Sequence, residues 1–356
     1  MGRWVTAIII GCALALLSLP PPSASAQGLK VSGYADLEVN IDNVNSDDSE
    51  FYFDNHHFNL IAFGRLLKDV AASAEIEFEH AGDEIALEFG YISYTGIPNV
   101  RIQAGKFIVP FGRFNKDLHP TWINKVPDRP LPFDNILPQT YNDVGIWISG
   151  GTDLTDGTRV AYDAFVVNGL LGTDGGNIRD FRDNDRDQRT GGRDNNKAVG
   201  GRLGLNFGPQ GFEIAGSLYY GHYSEDSALD LNLAILGADA AFQYRDLELR
   251  GELVHAIQEV SPAIASEDLK KTGFYTQAAY RITPKFEPTV RFSWRNMPDD
   301  PVAGAGIDDR SRLSFGTNYY LAANAVVRLA YNLNMENNDT PEADNDKVIG
   351  QFTMAF

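Results

Sequence analysis

Residues 347–356 alternate between apolar and polar side chains. Phe352 and Met354 share one face, whereas Gln351 and Thr353 share the other. Successive side chains of a strand point to opposite faces, so this period of two predicts a strand with one apolar side. An unpaired apolar edge promotes aggregation, and pairing with the first strand would remove it. The pattern therefore predicts a membrane barrel whose apolar face meets lipid and whose polar face lines a water-filled lumen.

The same alternation recurs along most of the chain. It is clearest at residues 71–80, where Ile76 and Phe78 oppose Glu75 and Glu77. Turn-forming residues separate the alternating segments, so each segment is predicted to be one strand. The predicted strands are 31–40, 54–66, 71–80, 84–95, 100–109, 143–150, 159–170, 198–207, 212–224, 229–244, 247–260, 270–282, 286–297, 310–321, 326–335 and 347–356.

These segments predict an all-β fold, a transmembrane antiparallel barrel of about 16 strands. Short turns alternate with longer loops, as expected when one end of each hairpin faces the periplasm. An even count places both termini on the periplasmic side. In the fourth predicted strand, the alternation assigns Ile85, Leu87, Phe89 and Tyr91 to the outer face.

Residues 112–142 interrupt this rhythm with a long proline-rich segment. Proline lacks the N–H that a central strand must donate, so the segment is predicted to be a loop. Its apolar residues favour a packed loop: Phe114, Trp122, Ile123, Phe133 and Ile136. Since side chains alone cannot fill a barrel this wide, we expect the loop to fold into the lumen. The alternative is a loop packed over the rim. Residues 172–196 are predicted to form a second, mobile external loop.

The N-terminus has the features of an export signal. Arg3 precedes an apolar run over residues 5–19, and Ala24-Ser25-Ala26 follows as a small-residue cleavage site. We therefore expect a signal peptide over residues 1–26 and a barrel domain over residues 27–356. A lipoprotein processing site around Cys12 is the alternative interpretation of this region.

Composition restricts the possible classes further. The formal net charge is −18, which makes nucleic acid an unsuitable partner. Cys12 is the single cysteine, so the chain after the predicted signal has no disulfide or thiol chemistry. The mean hydropathy is only −0.24, because outward apolar and inward polar residues cancel in a strand that faces both lipid and water. A soluble secreted all-β protein has a similar balance and is the competing fold.

The polar face carries charges that segregate along the chain. Acidic residues dominate the early strands and basic residues the later ones, so a closed barrel would oppose the two sets across its lumen. Opposed charges would create a transverse field that selects permeants by charge and dipole. The alternative is that these charges simply keep the polar face hydrated. The acidic set is Asp36, Glu38, Glu75, Glu77, Glu79, Glu84 and Glu88, and the basic set is Arg202, Arg250, Lys271, Arg281, Arg291, Arg295, Arg312 and Arg328.

The run Ala104-Gly105-Lys106-Phe107-Ile108-Val109-Pro110-Phe111-Gly112, followed by the proline-rich loop, resembles the phosphate-selective porin O and P family. The resemblance implies a homotrimeric barrel of sixteen strands in the outer membrane of a Gram-negative bacterium. It also implies an arginine ladder that guides anions (Arg281, Arg291, Arg295, Arg312, Arg328), with basic residues at a constriction loop (Lys116, Lys125, Arg129). Arg113 and Trp122 of that loop join the candidate constriction residues. The acidic set on the early strands, here called the acidic wall, departs from an anion-selective pattern. A general or sugar-conducting pore is therefore an equal alternative.

Other chemistry finds little support. His56 and His57 are adjacent, and adjacent strand residues face opposite sides, so we expect no metal site there. His80, His119, His222 and His255 lie beside no nucleophile motif, so no catalytic residue or enzyme activity is predicted. Asp183-Asn184-Asp185-Arg186-Asp187 begins like a calcium loop but continues with Gln188 instead of glycine.

We therefore predict an outer-membrane porin that needs no cofactor. It would let small polar solutes, including anions such as phosphate, diffuse passively, and its partners would be membrane lipid and these solutes. The alternative function is a barrel that conducts weakly or not at all and serves as an adhesin or structural anchor, with residues 172–196 as the presented loop.

Overall fold

The computed structural model describes residues 27–46, 48–118, 120–138, 140–179, 197–208, 211–226, 228–298, 309–337, 340 and 343–356. The predicted signal peptide and the calcium-like segment lie outside these residues. No helix within the described ranges is long and apolar enough to cross a membrane.

Sixteen strands of the described chain close into one antiparallel barrel, which confirms the predicted fold class. Each strand pairs with its neighbour in sequence, and the last strand pairs with the first. Two short strands, β8 and β9, form a separate two-stranded sheet. The strands are β1 Gln27–Asp42, β2 Glu50–Leu67, β3 Val70–Glu79, β4 Glu84–Ile97, β5 Val100–Ile108, β6 Asn142–Thr155, β7 Thr158–Val167, β8 Leu171–Gly172, β9 Ile178–Arg179, β10 Ala198–Phe207, β11 Phe212–His222, β12 Asn232–Tyr244, β13 Leu247–Gln258, β14 Leu269–Tyr280, β15 Phe286–Asn296, β16 Arg310–Ala322, β17 Ala325–Glu336 and β18 Lys347–Ala355.

The closing seam lies between β1 and β18. Asp36 opposes Thr353 and Glu38 opposes Gln351 in its register, with all four side chains buried on the inner face. Phe352 and Met354 are exposed on the outer face, as the alternation of the last strand predicts. The apolar last strand is therefore hydrogen-bonded on both sides and leaves no open sheet edge.

A β-bulge in β4 corrects one sequence-based assignment. Glu75 opposes Phe89 and Ile76 opposes Leu87, so Glu88 is an extra residue in the pairing with β3. An extra residue reverses the alternation beyond it. Ile85 and Leu87 are exposed as predicted, but Phe89 and Tyr91 face inward, and Tyr91 packs against the buried core. The prediction that these two aromatic residues face lipid was wrong.

The segment between β5 and β6 is a packed loop with two helical turns. A π-helical turn spans Phe114–Leu118, and a short α-helix, α1, spans Pro132–Asn135. The rings of Phe114 and Phe133 lie 4.9 Å apart within the main buried apolar cluster, which also includes Ile136. Trp122 differs from the predicted packing, because 44% of its surface is exposed.

The beginning of the predicted external loop at 172–196 is also packed. Gly175 and Gly176 are buried, and Gln258 Nε2 donates to Gly176 O at 2.8 Å. Gly172 N–H donates to Tyr223 O at 2.8 Å, which joins this loop to the one after β11. Residues 180–196 lie outside the described ranges, so the prediction of mobility stays untested there.

Candidate solute pathway

The acidic wall occupies the inner face of β1 to β3. Asp36 Oδ1 accepts the backbone N–H of His57 at 2.9 Å, and Glu38 Oε1 accepts Gln351 Nε2 at 2.7 Å. Asn59 Nδ2 donates to Glu75 at 2.7 Å and to Glu77 at 2.9 Å. Buried carboxylates require such donors, because desolvation otherwise penalises their charge. The early strands therefore present a hydrogen-bonded acidic surface to the inside of the barrel.

The other predicted acidic residues occupy different environments. Glu88, the bulge residue of β4, is fully buried and accepts Asn142 Nδ2 at 3.1 Å. Glu79 is half-buried and lines an interior cavity, whereas Glu84 is exposed beside the turn at 80–83. Of these three residues, Glu79 is the one that borders this cavity.

Two of the predicted arginines bind the backbone of the loop between β5 and β6. Arg291 Nη2 donates to Asp128 O at 2.7 Å. Arg328 donates to Thr121 O at 2.9 Å and to Trp122 O at 3.0 Å. Both side chains are buried between the wall and the loop. A guanidinium offers five donors in a rigid fork, so one arginine can hold several carbonyl groups at once.

The remaining predicted wall cations pair mostly with acidic or amide groups. Arg202 donates to Asp239 at 2.6 Å, and Arg295 lies 3.2 Å from Asp134 of the loop. Arg312 Nη1 lies 3.5 Å from Asp128 Oδ2. Three further contacts complete the set: Arg250 with Glu248 at 3.4 Å, Lys271 with Gln258 at 2.9 Å and Arg281 with Glu287 at 3.4 Å.

Cationic side chains of the loop reach across to wall carboxylates. Arg113 pairs with Glu213 at 2.8 Å, Lys116 with Asp163 at 2.6 Å, and Lys125 with Glu248 at 2.8 Å and Glu287 at 3.2 Å. Arg129 Nη1 donates to Thr140 Oγ1 at 2.6 Å within the loop. Lys125 thus bridges two wall carboxylates, and the loop is cross-linked to the barrel by charges of both signs.

The start of the loop is held by Glu252 of β13. Its two carboxylate oxygens accept the backbone N–H groups of Arg113 at 3.1 Å and Phe114 at 3.0 Å. Gly112 precedes them with φ +63°, a conformation that glycine adopts readily. A Cβ at Gly112 would collide with Glu252 Oε1 unless that side chain moved, so this position favours glycine.

Burial and neighbouring charges shift the pKa values of two loop residues, Asp117 and Arg113. Burial desolvates the Asp117 carboxyl and raises its pKa above the ordinary value, while Lys116 and Arg113 act in the opposite direction. Burial disfavours the charge of Arg113, but the Glu213 carboxylate outweighs it and raises the pKa of Arg113. Arg113 therefore stays cationic, and Asp117 holds its proton to a higher pH than a free aspartate.

Two interior cavities border the loop. The first, about 440 Å³, is lined by His56, His57, His80 and Glu79 on the side of β2 and β3. Arg310, Arg312, Asn334 and Lys347 line it from β16 to β18. Loop residues Thr121, Asp128 and Arg129 also line it, as do the carboxylates of Asp42, Glu50 and Asp134. Acidic and histidine side chains therefore face arginine and lysine side chains across this space.

The second cavity, about 290 Å³, is also bordered by the loop. Arg113, Leu118, Ile123 and Lys125 contribute from the loop. Glu213, Glu248 and Arg250 contribute from the strands, together with residues of the short turn after β10. Both cavities carry groups of opposite charge.

The histidine pair contradicts the sequence-based reasoning about its geometry. The register between β1 and β2 shifts between Asp36 and Glu38, and this irregularity puts both imidazoles on the inner side. The rings of His56 and His57 lie 4.0 Å apart, and His80 lies 5.5 Å from His56. The expectation that the pair faces opposite sides was wrong. Four consecutive polar residues, 54–57, were the available signal, because such a run cannot follow a strict alternation.

Comparison with known proteins identifies the family. A family model described as Gram-negative porin matches residues 13–340. An uncharacterized protein of Aquifex aeolicus (strain VF5) is 26% identical over 290 residues, which cover 73% of this chain and 63% of that protein. The chain therefore spans less than two thirds of the length of this curated relative.

Solved structures share the fold at low sequence identity. An anion-selective porin from Comamonas acidovorans aligns with a TM-score of 0.64 and 12% identity, covering 92% of this chain and 99% of that chain. The trimer form of OmpT, an outer membrane protein of Vibrio cholerae, aligns with a TM-score of 0.61 and 10% identity, with the same two coverages. The chain belongs to the Gram-negative porin family. Its location is the outer membrane.

Proposed function

We propose that this porin lets small polar solutes diffuse passively through its lumen, past the loop between β5 and β6. The observation that carries this proposal is the 440 Å³ cavity, which lies between carboxylate and imidazole groups on one side and Arg310, Arg312 and Lys347 on the other. Polar, hydratable walls suit hydrated solutes, whereas an apolar cavity would exclude them.

The loop acts as the constriction in this proposal. The hydrogen bonds from Arg291 and Arg328 to loop carbonyl groups support an inward position, because both arginines lie on inward faces of their strands. Asn318 Nδ2 adds a bond to Lys125 O at 3.2 Å. A loop that only covered the rim would not contact inward-facing side chains such as Arg291, Asn318 and Arg328.

Charge selection arises from the field between the two walls. Arg129, Arg310, Arg312 and Lys347 attract anions, whereas the carboxylates on β1 and β3 attract cations. The resemblance to the phosphate-selective porins narrows this proposal to anions such as phosphate. These anions would pass along the basic side. The buried arginines Arg291 and Arg328 contribute charge to that side but mainly position the loop.

Planar-bilayer recording of the purified protein tests the channel. We expect discrete conductance steps, and their absence would refute conduction and favour an anchor or adhesin. Reversal potentials in asymmetric salt then test the field: Arg312→Gln should shift them toward cation preference. Arg159→Gln is the matched control, because Arg159 pairs with Asp153 and both side chains are largely exposed. Equal shifts in the two variants would remove Arg312 from the proposed anion side.

The proposed assembly is a homotrimer. The trimer form of OmpT supports it through the shared fold, and exposed apolar residues on the outer face supply surface for lipid and subunits alike. Mass determination of the detergent-solubilised protein by light scattering should give three chains per particle. A particle of one chain would contradict the trimer while leaving the channel proposal intact.

A further inference from the structure

Three of the six histidines of the chain lie together on the inner side of the barrel, beside the first half of β2. His56 and His57 belong to β2, and His80 follows β3. The irregular register of β2 brings His56 to the same side as His57, and both line the 440 Å³ cavity. The Gram-negative porin fold requires polar inward residues but no imidazole cluster, so this grouping calls for its own explanation.

The cluster has the geometry of a metal site. One possible ligand atom from each of Asp36, His56 and His57 lies within 4.8 Å of the others. A second set, His57 with Glu77 and Glu79, meets the same distance. The two sets share His57 and come from three adjacent strands, β1, β2 and β3.

The donor types indicate which ion would bind. Imidazole nitrogen suits zinc, copper and nickel, whereas Mg²⁺ and Ca²⁺ prefer sites made only of oxygen. Two histidines with carboxylates resemble the ligand composition of many zinc sites. We propose that His56, His57 and Asp36, with Glu77 and Glu79 in reach, form a lumenal binding site for a divalent transition-metal ion such as Zn²⁺.

The surroundings of the ligands support this assignment. Glu38 Oε1 lies 3.2 Å from His56 Nδ1, and Gln351 Nε2 donates to the same Glu38 oxygen at 2.7 Å. A carboxylate behind a ligating imidazole fixes the ring and raises its basicity. His56 is also open to the cavity, with 31% of its side chain exposed, so an ion in the lumen can reach it.

The opposite wall limits the affinity of the site. Arg310, Arg312 and Lys347 line the same cavity and repel a cation. We therefore expect weaker and more reversible binding than at a closed structural zinc site. Thr121 and Asp128 of the loop border the cavity as well, so a bound ion would add positive charge beside the proposed constriction.

Calorimetric titration of the folded protein with Zn²⁺ tests the site directly. The protein is purified without a histidine tag and measured in detergent, so the result does not depend on conduction. We expect saturable binding, weakened at least about tenfold by His57→Gln and by His56→Gln, since even an outer-shell substitution costs 10- to 100-fold. Mg²⁺ should bind far more weakly than Zn²⁺.

His255→Gln is the matched control. His255 shares the outer face of β13 with the exposed Leu253, and its Nδ1 lies 2.8 Å from Thr272 Oγ1. Its loss should leave the affinity for Zn²⁺ unchanged. Equal affinities in wild type, His56→Gln and His57→Gln would overturn the proposal, as would an equal loss in His255→Gln or equal binding of Mg²⁺.

A spectroscopic measurement separates loss of ligands from loss of fold. Cu²⁺ bound to wild type should show nitrogen hyperfine splitting in its electron paramagnetic resonance spectrum, and Glu77→Gln should preserve this nitrogen signal. His57→Gln should reduce it while the protein still shifts its gel mobility on heating, as a folded barrel does. A nitrogen signal that persists unchanged in the folded His57→Gln protein would refute the assignment.

Discussion

Replacing Arg328 by methionine should loosen one segment of the loop without unfolding the barrel. Arg328 makes two hydrogen bonds to the loop, to Thr121 O and Trp122 O, and others to Asn318, Gln351 and Thr353 of the wall. Methionine keeps much of the aliphatic length but donates no hydrogen bond. These wall acceptors are buried and also lose a donor. Because β17 keeps its backbone pairing with β16 and β18, we expect the barrel to persist and the main structural effect to fall on the loop.

The magnitude follows from the two bonds to the loop. A hydrogen bond to a charged group contributes about 1.5–3 kcal/mol. Lumen water can hydrate the freed carbonyl groups, so the lower value is expected, about 3 kcal/mol for the pair. Since 1.4 kcal/mol is a factor of ten, local opening of this segment should increase on the order of 100-fold.

Hydrogen–deuterium exchange measures this opening. The amides of Ile123 and Asn124 donate to Pro120 O at 3.0 and 3.1 Å, and their exchange should accelerate by this factor in Arg328→Met. The amides of Phe133 and Leu137, bonded to Pro130 O and Pro132 O, are the internal control, because Arg291 and Arg295 still hold that half of the loop. Unchanged exchange at Ile123 and Asn124, or equal acceleration in both halves, would refute the reasoning.

Three further outcomes are expected. Gly112→Ala should strain the backbone by about 1–3 kcal/mol. It should therefore lower the temperature at which the barrel loses its folded gel mobility. Gly28→Ala should leave that temperature unchanged, because the space around Gly28 is open. As pH rises from about 4 through the raised pKa of Asp117, its carboxyl loses a proton and the loop gains negative charge. Reversal potentials in asymmetric salt should then shift toward cation selectivity. Asp117→Asn should abolish that shift. Deleting Phe356 removes two backbone bonds to Gly33, at 2.8 and 2.9 Å; fewer chains should reach the heat-modifiable form, and equal yields would contradict a role in closing the seam.

The docking of the loop illustrates what sequence reasoning could not supply. Proline content identified residues 112–142 as a loop, and Phe114 and Phe133 indicated that it packs. Nothing local to Arg328 shows that it will bind carbonyl groups at residues 121 and 122, more than two hundred positions earlier. Such contacts depend on which strands become neighbours across the lumen.

The histidine cluster has the same origin. Strict alternation separates His56 from His57, and one register irregularity unites them. The bulge at Glu88 likewise turned Phe89 and Tyr91 inward, although their sequence pattern predicted lipid contact. A single extra residue reverses every side chain beyond it, so an error in register propagates along the strand.

The sequence by itself determined the barrel, its strand segments and the side of most residues, because lipid and water on opposite faces impose a period of two on every spanning strand. The closing of β18 on β1 also followed, since the apolar last strand needs a partner. Tertiary structure alone decided which charges meet, where the bulges fall and how the loop is held. These features depend on pairings between distant residues, and the local alternation of side chains carries no information about them.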